Sequence, residues 1–270
     1  MKGRLAISGR QRWAIVNAPS RRPLLFDIAQ QLQRMGTFVR LFEPDGPLPS
    51  HEFDAVLLGR KDPASVAWGK SQRRRGAFVF PDPDVVEHVR DRIAVRSVLQ
   101  QAGFEVPTAV HGMLRELCAP AQLQAIDWPA LLKRRDQHGA DAVKLMTEPT
   151  HLHSIGDAEN MDSVWLLENA IAGVHFTAYF IGRDIDIFQR PPFGSEFTEA
   201  RVNPASATLC ALVRRAQNLL GLRFGKLDVV CPAPHRPVIV DVGAFPKFLN
   251  VPRAGEQLAR LIQESAMGGL

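Results

Sequence analysis

Short apolar segments that alternate with an amphipathic helix constrain the first third of this 270-residue chain most strongly. Residues 24–35 repeat apolar side chains at helical spacing, with Pro23 near the start of the run. Apolar runs typical of strands occupy 13–16, 38–42, 55–58 and 77–80. Strands separated by helices favour a parallel sheet. We therefore expect a small α/β domain at the N terminus.

The segment Pro81-Asp82-Pro83-Asp84 interrupts this pattern, and Asp82 is predicted to cap the helix that follows. That helix is expected over 85–102, with Gly103 as its C-terminal cap. Further helices are expected at 206–220 and 255–265. The later strands are expected at 130–133, 142–146, 165–168, 176–180, 185–188, 227–230 and 238–242. These elements predict an α+β chain with a first domain border after Asp82.

Composition and charge exclude several classes of protein. No apolar run approaches the roughly 20 residues of a membrane-spanning helix, and the three cysteines have neither disulfide-like nor zinc-like spacing. We expect a cytoplasmic protein without a membrane partner. The net charge of +5 suits an anionic ligand. The basic run at 70–75 lacks aromatic residues and matches no recognition motif, so it is interpreted as a solvated helix end and no nucleic-acid partner is expected.

Two carboxylates stand on neighbouring predicted strands near the C terminus. Asp228 and Asp241 are each embedded in apolar, β-branched sequence. A buried carboxylate is costly unless it is paired or bound to a cation. Mg²⁺ prefers oxygen ligands and shares its coordination shell with substrate phosphates, so the two acids predict a magnesium site. The alternative is that each acid ends its strand and accepts hydrogen bonds from backbone N–H groups.

A lysine and a following loop suggest contacts to phosphate. Lys133 closes an apolar strand, from which its ammonium would reach nucleotide phosphates as a point charge. The alternative is a surface lysine whose stem lies along apolar neighbours. His138-Gly139 follows in the next loop, where a glycine would let the backbone approach a phosphate. The alternative is that these two residues form an ordinary turn.

Taken in order, these features resemble the ATP-grasp enzymes, and within them most closely the ATP-grasp-type inositol polyphosphate kinases. The resemblance extends from about Asp91 to Leu249. It rests on Asp91-Arg92, 99–107, Lys133, His138-Gly139, 166–169, Gln189-Arg190-Pro191, Asp228, and Asp241 with Phe245-Pro246. It implies an ATP-grasp fold with an N-terminal α/β (pre-ATP-grasp) domain at 1–82, a central lobe at 83–164 and a C-terminal lobe with the metal site at 165–270.

The resemblance also implies roles for individual residues, with ATP and Mg²⁺ as cofactors. Arg92, Lys133 and Lys144 would contact the nucleotide, while Leu167, Glu168 and Asn169 would form the hinge that reads adenine, largely through backbone groups. Asp228 and Asp241 would hold Mg²⁺. Arg190 and Lys133 would act in catalysis. The anionic small-molecule acceptor would contact His138, Gly139, Arg190, Lys247 and Arg21, with Arg22 as the alternative to Arg21.

The sequence departs from these relatives mainly on the acceptor side. Gly243 stands where the family usually has a metal-binding Asn, and Lys247 where it usually has Gly. Thr177 or a neighbour replaces a common lysine, and Pro192 replaces a Ser. Because the features of the kinase acceptor site are weakened, we favour a ligase that activates a carboxylate as an acyl phosphate and joins it to an amine. The alternatives are a kinase for a polyol or sugar phosphate and a non-catalytic nucleotide-binding module. The sequence does not indicate an oligomeric state.

Overall fold

The computed structural model describes residues 12–16, 22–43, 46–50, 53–137, 142–156, 163–191, 200–203, 206–233 and 236–268. Within these residues the strands form three sheets, here called the N-terminal, central and C-terminal sheets. Among the helices described, none combines the length and the hydropathy that crossing a membrane requires.

The N-terminal sheet is parallel, as its sequence predicts. Its elements in chain order are β1 (Arg12–Val16), α1 (Arg22–Arg34), β2 (Phe38–Phe42), β3 (Ala55–Leu58), α2 (Pro63–Arg74) and β4 (Phe78–Phe80). The strands lie in the order β2-β1-β3-β4, and every described pair is parallel. Asp62 caps α2 by accepting a hydrogen bond from the Ser65 backbone N–H at 3.0 Å.

The basic run at 70–75 lies at the C-terminal end of α2, where the sequence places a helix end. Two of its basic residues are ion-paired within the fold. Lys70 contacts Glu87 at 2.6 Å, and Arg73 contacts Asp82 at 2.8 Å and also pairs with Asp84. These pairs hold α2 against the helix that follows.

That region contains two helices, α3 (Pro83–Arg90) and α4 (Arg92–Gln101), so the single helix predicted over 85–102 is wrong. Asp91 leaves the helical conformation and accepts hydrogen bonds from the backbone N–H groups of Ile93 and Ala94, which caps α4. The Arg135 guanidinium pairs with Asp91, a contact that local sequence patterns do not reveal. Asp82 caps α3, and Gly103 ends α4 with φ 76°, both as predicted.

The central sheet is antiparallel. Its region contains β5 (Ala109–Met113), α5 (Leu114–Leu117), α6 (Pro120–Gln124), β6 (Ala130–Arg134), β7 (Val143–Met146), α7 (His151–Gly156) and β8 (Val164–Asn169). The strand order is β5-β8-β6-β7. Strand β5 was not predicted because it is a half-exposed edge strand without a strong apolar pattern.

The C-terminal sheet is antiparallel and carries two longer helices. Its elements are β9 (Val174–Ile181), β10 (Asp184–Arg190), β11 (Ala200–Arg201), α8 (Ala207–Leu219), β12 (Phe224–Cys231), β13 (Val238–Gly243) and α9 (Ala254–Ala266). The strand order is β11-β10-β9-β12-β13. The hairpin β9–β10 and the strand pair β12–β13 are confirmed.

The two faces of the C-terminal sheet pack against different parts of the chain. One face buries Leu227 and Val229 against α4 and α8. The other buries Phe224 in a core shared with α1, α9 and the N-terminal sheet. Strand β8, which ends at Asn169, pairs within the central sheet. A boundary drawn between the central and C-terminal sheets therefore falls after Asn169. The domain borders themselves stay predictions.

Candidate nucleotide site

A cavity between the central and C-terminal sheets brings together several predicted residues. Alternation along β6 places Leu132 in the central core and Lys133 on the opposite face. Alternation along β8 does the same for Leu167 and Glu168. Helix α4 and strand β13 complete the walls. The charged lining residues are Arg92, Arg96, Lys133, Glu168 and Asp241.

Lys133 links the two sheets through polar contacts. Its ammonium is ion-paired with the Glu168 carboxylate on the neighbouring strand. It also donates a hydrogen bond to the Val240 carbonyl oxygen of β13 at 2.8 Å. Lys133 is 3% exposed and Glu168 2% exposed, which excludes the alternative of a surface lysine. Burial makes both charges costly unless they stay paired, so each side chain fixes the other.

Two arginines on α4 face the same cavity. Arg92 Nε donates to Asp241 Oδ1 at 3.3 Å, and its Nη1 donates to the Arg134 carbonyl oxygen at 3.2 Å. Arg96 Nη2 donates to the Pro107 carbonyl oxygen, while its buried Nε has no hydrogen-bond partner within the described residues. Burial lowers the pKa of Arg96, although Glu168 acts in the opposite direction.

Arg96 is a site residue that the sequence analysis missed. Arg92 and Arg96 are separated by four positions, the spacing that puts two side chains on one face of a helix. That spacing was the available signal. An unpaired buried N–H is costly, and a phosphate oxygen is the type of acceptor that it lacks.

The cavity is small because its own side chains fill it. It encloses about 30 Å³, whereas sites for small molecules enclose about 300–1,000 Å³. The contacts of Lys133 with Val240 and of Arg92 with Asp241 hold its walls together. The volume is too small for a nucleotide while these side-chain contacts are in place.

A second charged cluster lies on the C-terminal sheet around Asp228. This carboxylate is 3% exposed. Its Oδ2 accepts a hydrogen bond from Lys226 Nζ at 2.6 Å, and its Oδ1 accepts one from the Thr177 hydroxyl at 2.8 Å. Arg190 Nη2 lies 3.8 Å from Oδ1. Asp241 is the cross-strand partner of Asp228 in β13. The predicted adjacency of the two acids is thus confirmed, and side chains of the chain contact both of them.

These contacts fix the charge states of the cluster. Burial alone would raise the pKa of Asp228, but Lys226 and Arg190 outweigh burial and the repulsion of Asp241, so the pKa lies below its usual value. Burial alone would lower the pKa of Lys226, but Asp228 and Asp241 outweigh it and raise the pKa above its usual value. Asp228 and Lys226 are therefore both ionised near neutral pH.

His175 borders this cluster as the cross-strand neighbour of Arg190. Burial and then the Arg190 guanidinium lower the pKa of His175, against the attraction of Asp228. The imidazole is therefore neutral near pH 7. It contributes no positive charge to the two acids.

Gly243 leaves space for the lysine in this cluster. It is the cross-strand partner of Lys226. A Cβ atom at position 243 would lie 3.0 Å from Lys226 Cγ and 3.2 Å from Lys226 Cε, closer than side chains normally pack. The lysine stem lies across β13 because the opposite residue has no side chain.

Cations of the chain lie beside both acids of the predicted magnesium site. No cluster of three or more His, Cys, Asp or Glu side chains that could bind a metal occurs among the residues described. Asp228 is contacted by Lys226, and Asp241 by Arg92. Mg²⁺ needs oxygen ligands in near-octahedral geometry. The predicted metal ligands are adjacent, but cations of the chain itself occupy their surroundings.

Other predicted residues lie outside the cavity lining. Leu167 is fully buried in the central core. Asn169 Nδ2 donates to Asp127 Oδ2 at 2.8 Å, and the Asn169 backbone N–H donates to the Thr108 carbonyl oxygen. Lys144 is half-buried on β7, and Lys247 is exposed beyond β13. Any contact of Leu167 with adenine would therefore be made by the Leu167 backbone, in agreement with the predicted backbone hinge.

Three predicted acceptor contacts, Arg21, His138 and Gly139, lie outside the described residues. Pro192, one of the departures from the kinase pattern, also lies outside them. Their assigned roles stay predictions.

Comparison with solved structures identifies the fold. A RimK domain protein ATP-grasp from Sphaerobacter thermophilus aligns over 94% of this chain and 98% of its own, with a TM-score of 0.78 and 20% identity. D-alanine–D-alanine ligase from Bacillus anthracis complexed with ATP aligns over 96% and 98%, with a TM-score of 0.79 and 13% identity. The ATP-grasp ligase PsnB complexed with a minimal precursor, Mg and ADP aligns over 95% and 98%, with a TM-score of 0.67 and 13% identity. The chain has the ATP-grasp fold.

No protein-family model and no curated protein sequence matches the chain. The ATP-grasp fold confirms the predicted α+β class. The narrower resemblance to inositol polyphosphate kinases stays a prediction. In an ATP-grasp fold, the cavity lined by Lys133 and Arg92 is the candidate nucleotide site.

Proposed function

We propose that this chain is an ATP-dependent ligase that activates a carboxylate as an acyl phosphate and joins it to an amine. The observation that carries the proposal is the convergence of Arg92, Arg96 and Lys133 on the cavity between the two sheets of an ATP-grasp fold. Three cations at a site with two acids favour an anionic ligand. The solved structures with this fold that resemble the chain include an ATP-bound ligase and one bound to Mg and ADP.

In the proposed reaction, a carboxylate oxygen of the first substrate attacks the terminal phosphorus of ATP and releases ADP. The amine then attacks the acyl carbon, phosphate leaves, and the amine loses a proton. Lys133 and Arg92 would contact the phosphates, and the free Nε of Arg96 would donate a further hydrogen bond. Positioning and charge stabilisation supply most of the catalysis in such transfers. We also retain the proposal that Glu168 and Asn169 lie beside adenine.

Nucleotide entry requires the cavity to open. Lys133 would exchange its contact with Val240 for one with a phosphate oxygen, and Arg92 would release Asp241. Closure of lobes or loops around a nucleotide is a common way to exclude water from the reaction. The closed cavity therefore corresponds to a resting state of the proposed ligase.

The acceptor is proposed to lie beside the C-terminal sheet. Arg190 has a buried Nε without a hydrogen-bond partner among the described residues, which makes it the best-supported acceptor contact. Exposed Lys247 would attract a carboxylate or phosphate of the acceptor. Arg21, His138 and Gly139 keep their proposed acceptor roles.

Magnesium is proposed to arrive with ATP. When bound, it would neutralise phosphate charge. Asp228 and Asp241 remain its proposed ligands, and each already contacts a cation of the chain, Lys226 and Arg92 respectively. At the cavity itself, Arg92, Arg96 and Lys133 would add positive charge beside the phosphates.

One observation favours the alternative of a non-catalytic nucleotide-binding module. Lys226 occupies the neighbourhood of the proposed metal ligands, opposite Gly243. A module of this kind would bind ATP in the same cavity without turnover.

The decisive experiment incubates the protein with ATP and a metabolite extract, followed by mass spectrometry and phosphate release. A ligase yields a new condensation product and releases phosphate only when a carboxylate and an amine are both present. A phosphorylated alcohol would instead show the kinase, and ATP binding without product would show the module. Arg260→Ala replaces an exposed arginine outside the cavity, and this control variant should retain activity.

A further inference from the structure

The paired acids of the C-terminal sheet raise a physical problem that the structure solves internally. Asp228 and Asp241 stand directly opposite each other on antiparallel strands. Like charges in such positions repel, and Asp228 is also nearly inaccessible to water. Arg92 lies 3.3 Å from Asp241, so Asp228 is the acid that needs a further cation close to it. The question is whether that cation is an ion from solution or part of the chain.

Lys226 supplies a cation at this position. Residues two apart in a strand point to the same face, so Lys226 and Asp228 project together from β12. The Lys226 ammonium lies 2.6 Å from Asp228 Oδ2, within the range of a charge-assisted hydrogen bond. Arg190 and Thr177 contact the other oxygen of Asp228. The carboxylate is thereby contacted from both sides by groups of the chain.

Gly243 is the second part of the arrangement. Its missing side chain provides the space through which the Lys226 stem reaches Asp228. Any Cβ atom at position 243 would contact Cγ and Cε of the lysine at 3.0 Å and 3.2 Å. The glycine and the lysine therefore depend on each other, although they are 17 positions apart.

We propose that the Lys226 ammonium is a built-in cation for Asp228, opposite Asp241, and that it takes the place which a divalent ion would otherwise fill between the two acids. The resting protein then has no divalent-cation site at these two acids. This inference concerns the protein without nucleotide, and it holds whether or not the proposed ligase activity is found.

Binding of Mn²⁺ alone, followed by electron paramagnetic resonance in the absence of nucleotide, tests the proposal. Wild type should bind Mn²⁺ weakly. Lys226→Met keeps most of the aliphatic stem but removes the charge, and should raise Mn²⁺ affinity at least about tenfold, a size typical of groups that tune a metal site. Lys226→Arg retains a cation and should stay weak. Lys226→Met/Asp228→Asn should lose the gain.

The Gly243→Asn variant gives a second route to the same result and does not depend on the stability of Lys226→Met. Its side chain would displace the lysine and add a neutral oxygen, so its Mn²⁺ affinity should also rise. Circular dichroism establishes that each variant is folded. Equal, tight Mn²⁺ binding by wild type and the variants would overturn the proposal. So would a folded Gly243→Asn protein without a gain, or a gain that survives Asp228→Asn. Because no nucleotide is present, these outcomes are independent of the ligase test.

Discussion

Two lysine–carboxylate ion pairs, Lys133–Glu168 and Lys226–Asp228, are built differently. Lys133 and Glu168 lie on adjacent strands of the central sheet, and the lysine also bonds a backbone carbonyl of the C-terminal sheet. Lys226 and Asp228 lie on one strand, two positions apart. Arg190 and Thr177 also contact Asp228.

The difference concerns what each carboxylate retains when its lysine is lost. Glu168 faces a cavity where Lys133 is its ion-pair partner, with Arg96 close enough to sense its charge. Asp228 would keep an arginine and a hydroxyl. A buried charge is costly in proportion to the contacts that it loses. The Lys133–Glu168 pair therefore links the central and C-terminal sheets. The Lys226–Asp228 pair mainly neutralises a buried carboxylate.

The largest expected effect comes from Lys133→Met. Removing one partner of a buried ion pair typically costs about 3–5 kcal/mol, because the other charge stays buried without compensation. We expect a loss of that size in the free energy of unfolding, measured by urea denaturation. Lys133→Met/Glu168→Met should recover most of it, since an apolar pair of similar volume is often neutral. A single variant as stable as the double variant would contradict this account of the pair.

A smaller loss is expected from Lys226→Met. Asp228 keeps Arg190 and Thr177, so the cost should be about 1.5–3 kcal/mol, the range for a lost hydrogen bond to a charged group. Urea denaturation in the presence of a chelator measures it. A loss larger than that of Lys133→Met would reverse the ranking of the two pairs.

The histidine beside the second cluster predicts a pH dependence. The pKa of His175 is lowered in the folded protein, so the unfolded chain binds the proton more readily. Stability should therefore fall as pH drops from about 6.5 toward the lower pKa of the folded state. His175→Gln should reduce this loss between pH 7 and pH 5, by less than the cost of Lys226→Met. Identical pH profiles of the two proteins would show that His175 makes no such contribution.

The smallest effect on stability is expected from Lys247→Gly. The lysine is exposed, and surface substitutions usually change the free energy of unfolding by less than about 0.5 kcal/mol. If Lys247 attracts the acceptor, its KM for the acceptor should rise much more than its KM for ATP. An unchanged KM for the acceptor would remove Lys247 from the proposed site.

The sequence predicted those features that depend on local pattern. The parallel N-terminal sheet, the β9–β10 hairpin and the pairing of β12 with β13 follow from apolar periodicity and turn residues. Asp228 and Asp241 were expected to be adjacent because each interrupts an apolar strand. The break at Asp91 was missed because a contact from Arg135, distant in sequence, supports it.

Features of the site that depend on several elements at once were harder to predict. Lys226 stands two residues before Asp228, so its position on the same face of the strand was predictable. Its ion pair with Asp228, however, requires the space at Gly243. Gly243 was interpreted as a missing metal ligand, and the structure shows that it also accommodates the lysine. Arg96 was missed although it follows Arg92 by four positions. Burial of Arg96 depends on Pro107 and β13, which local patterns do not place.

Isothermal titration calorimetry with ATP tests the central claim, that the cavity at Lys133 is a nucleotide site. Wild type should bind one ATP per chain, and at about 100 times the dissociation constant this should stabilise the fold by about 2.7 kcal/mol. The folded Lys133→Met/Glu168→Met protein should bind ATP at least about tenfold more weakly, as expected when a charge-assisted contact is lost. Absence of binding heat and of thermal stabilisation in wild type would contradict the claim, as would an unchanged affinity in the double variant.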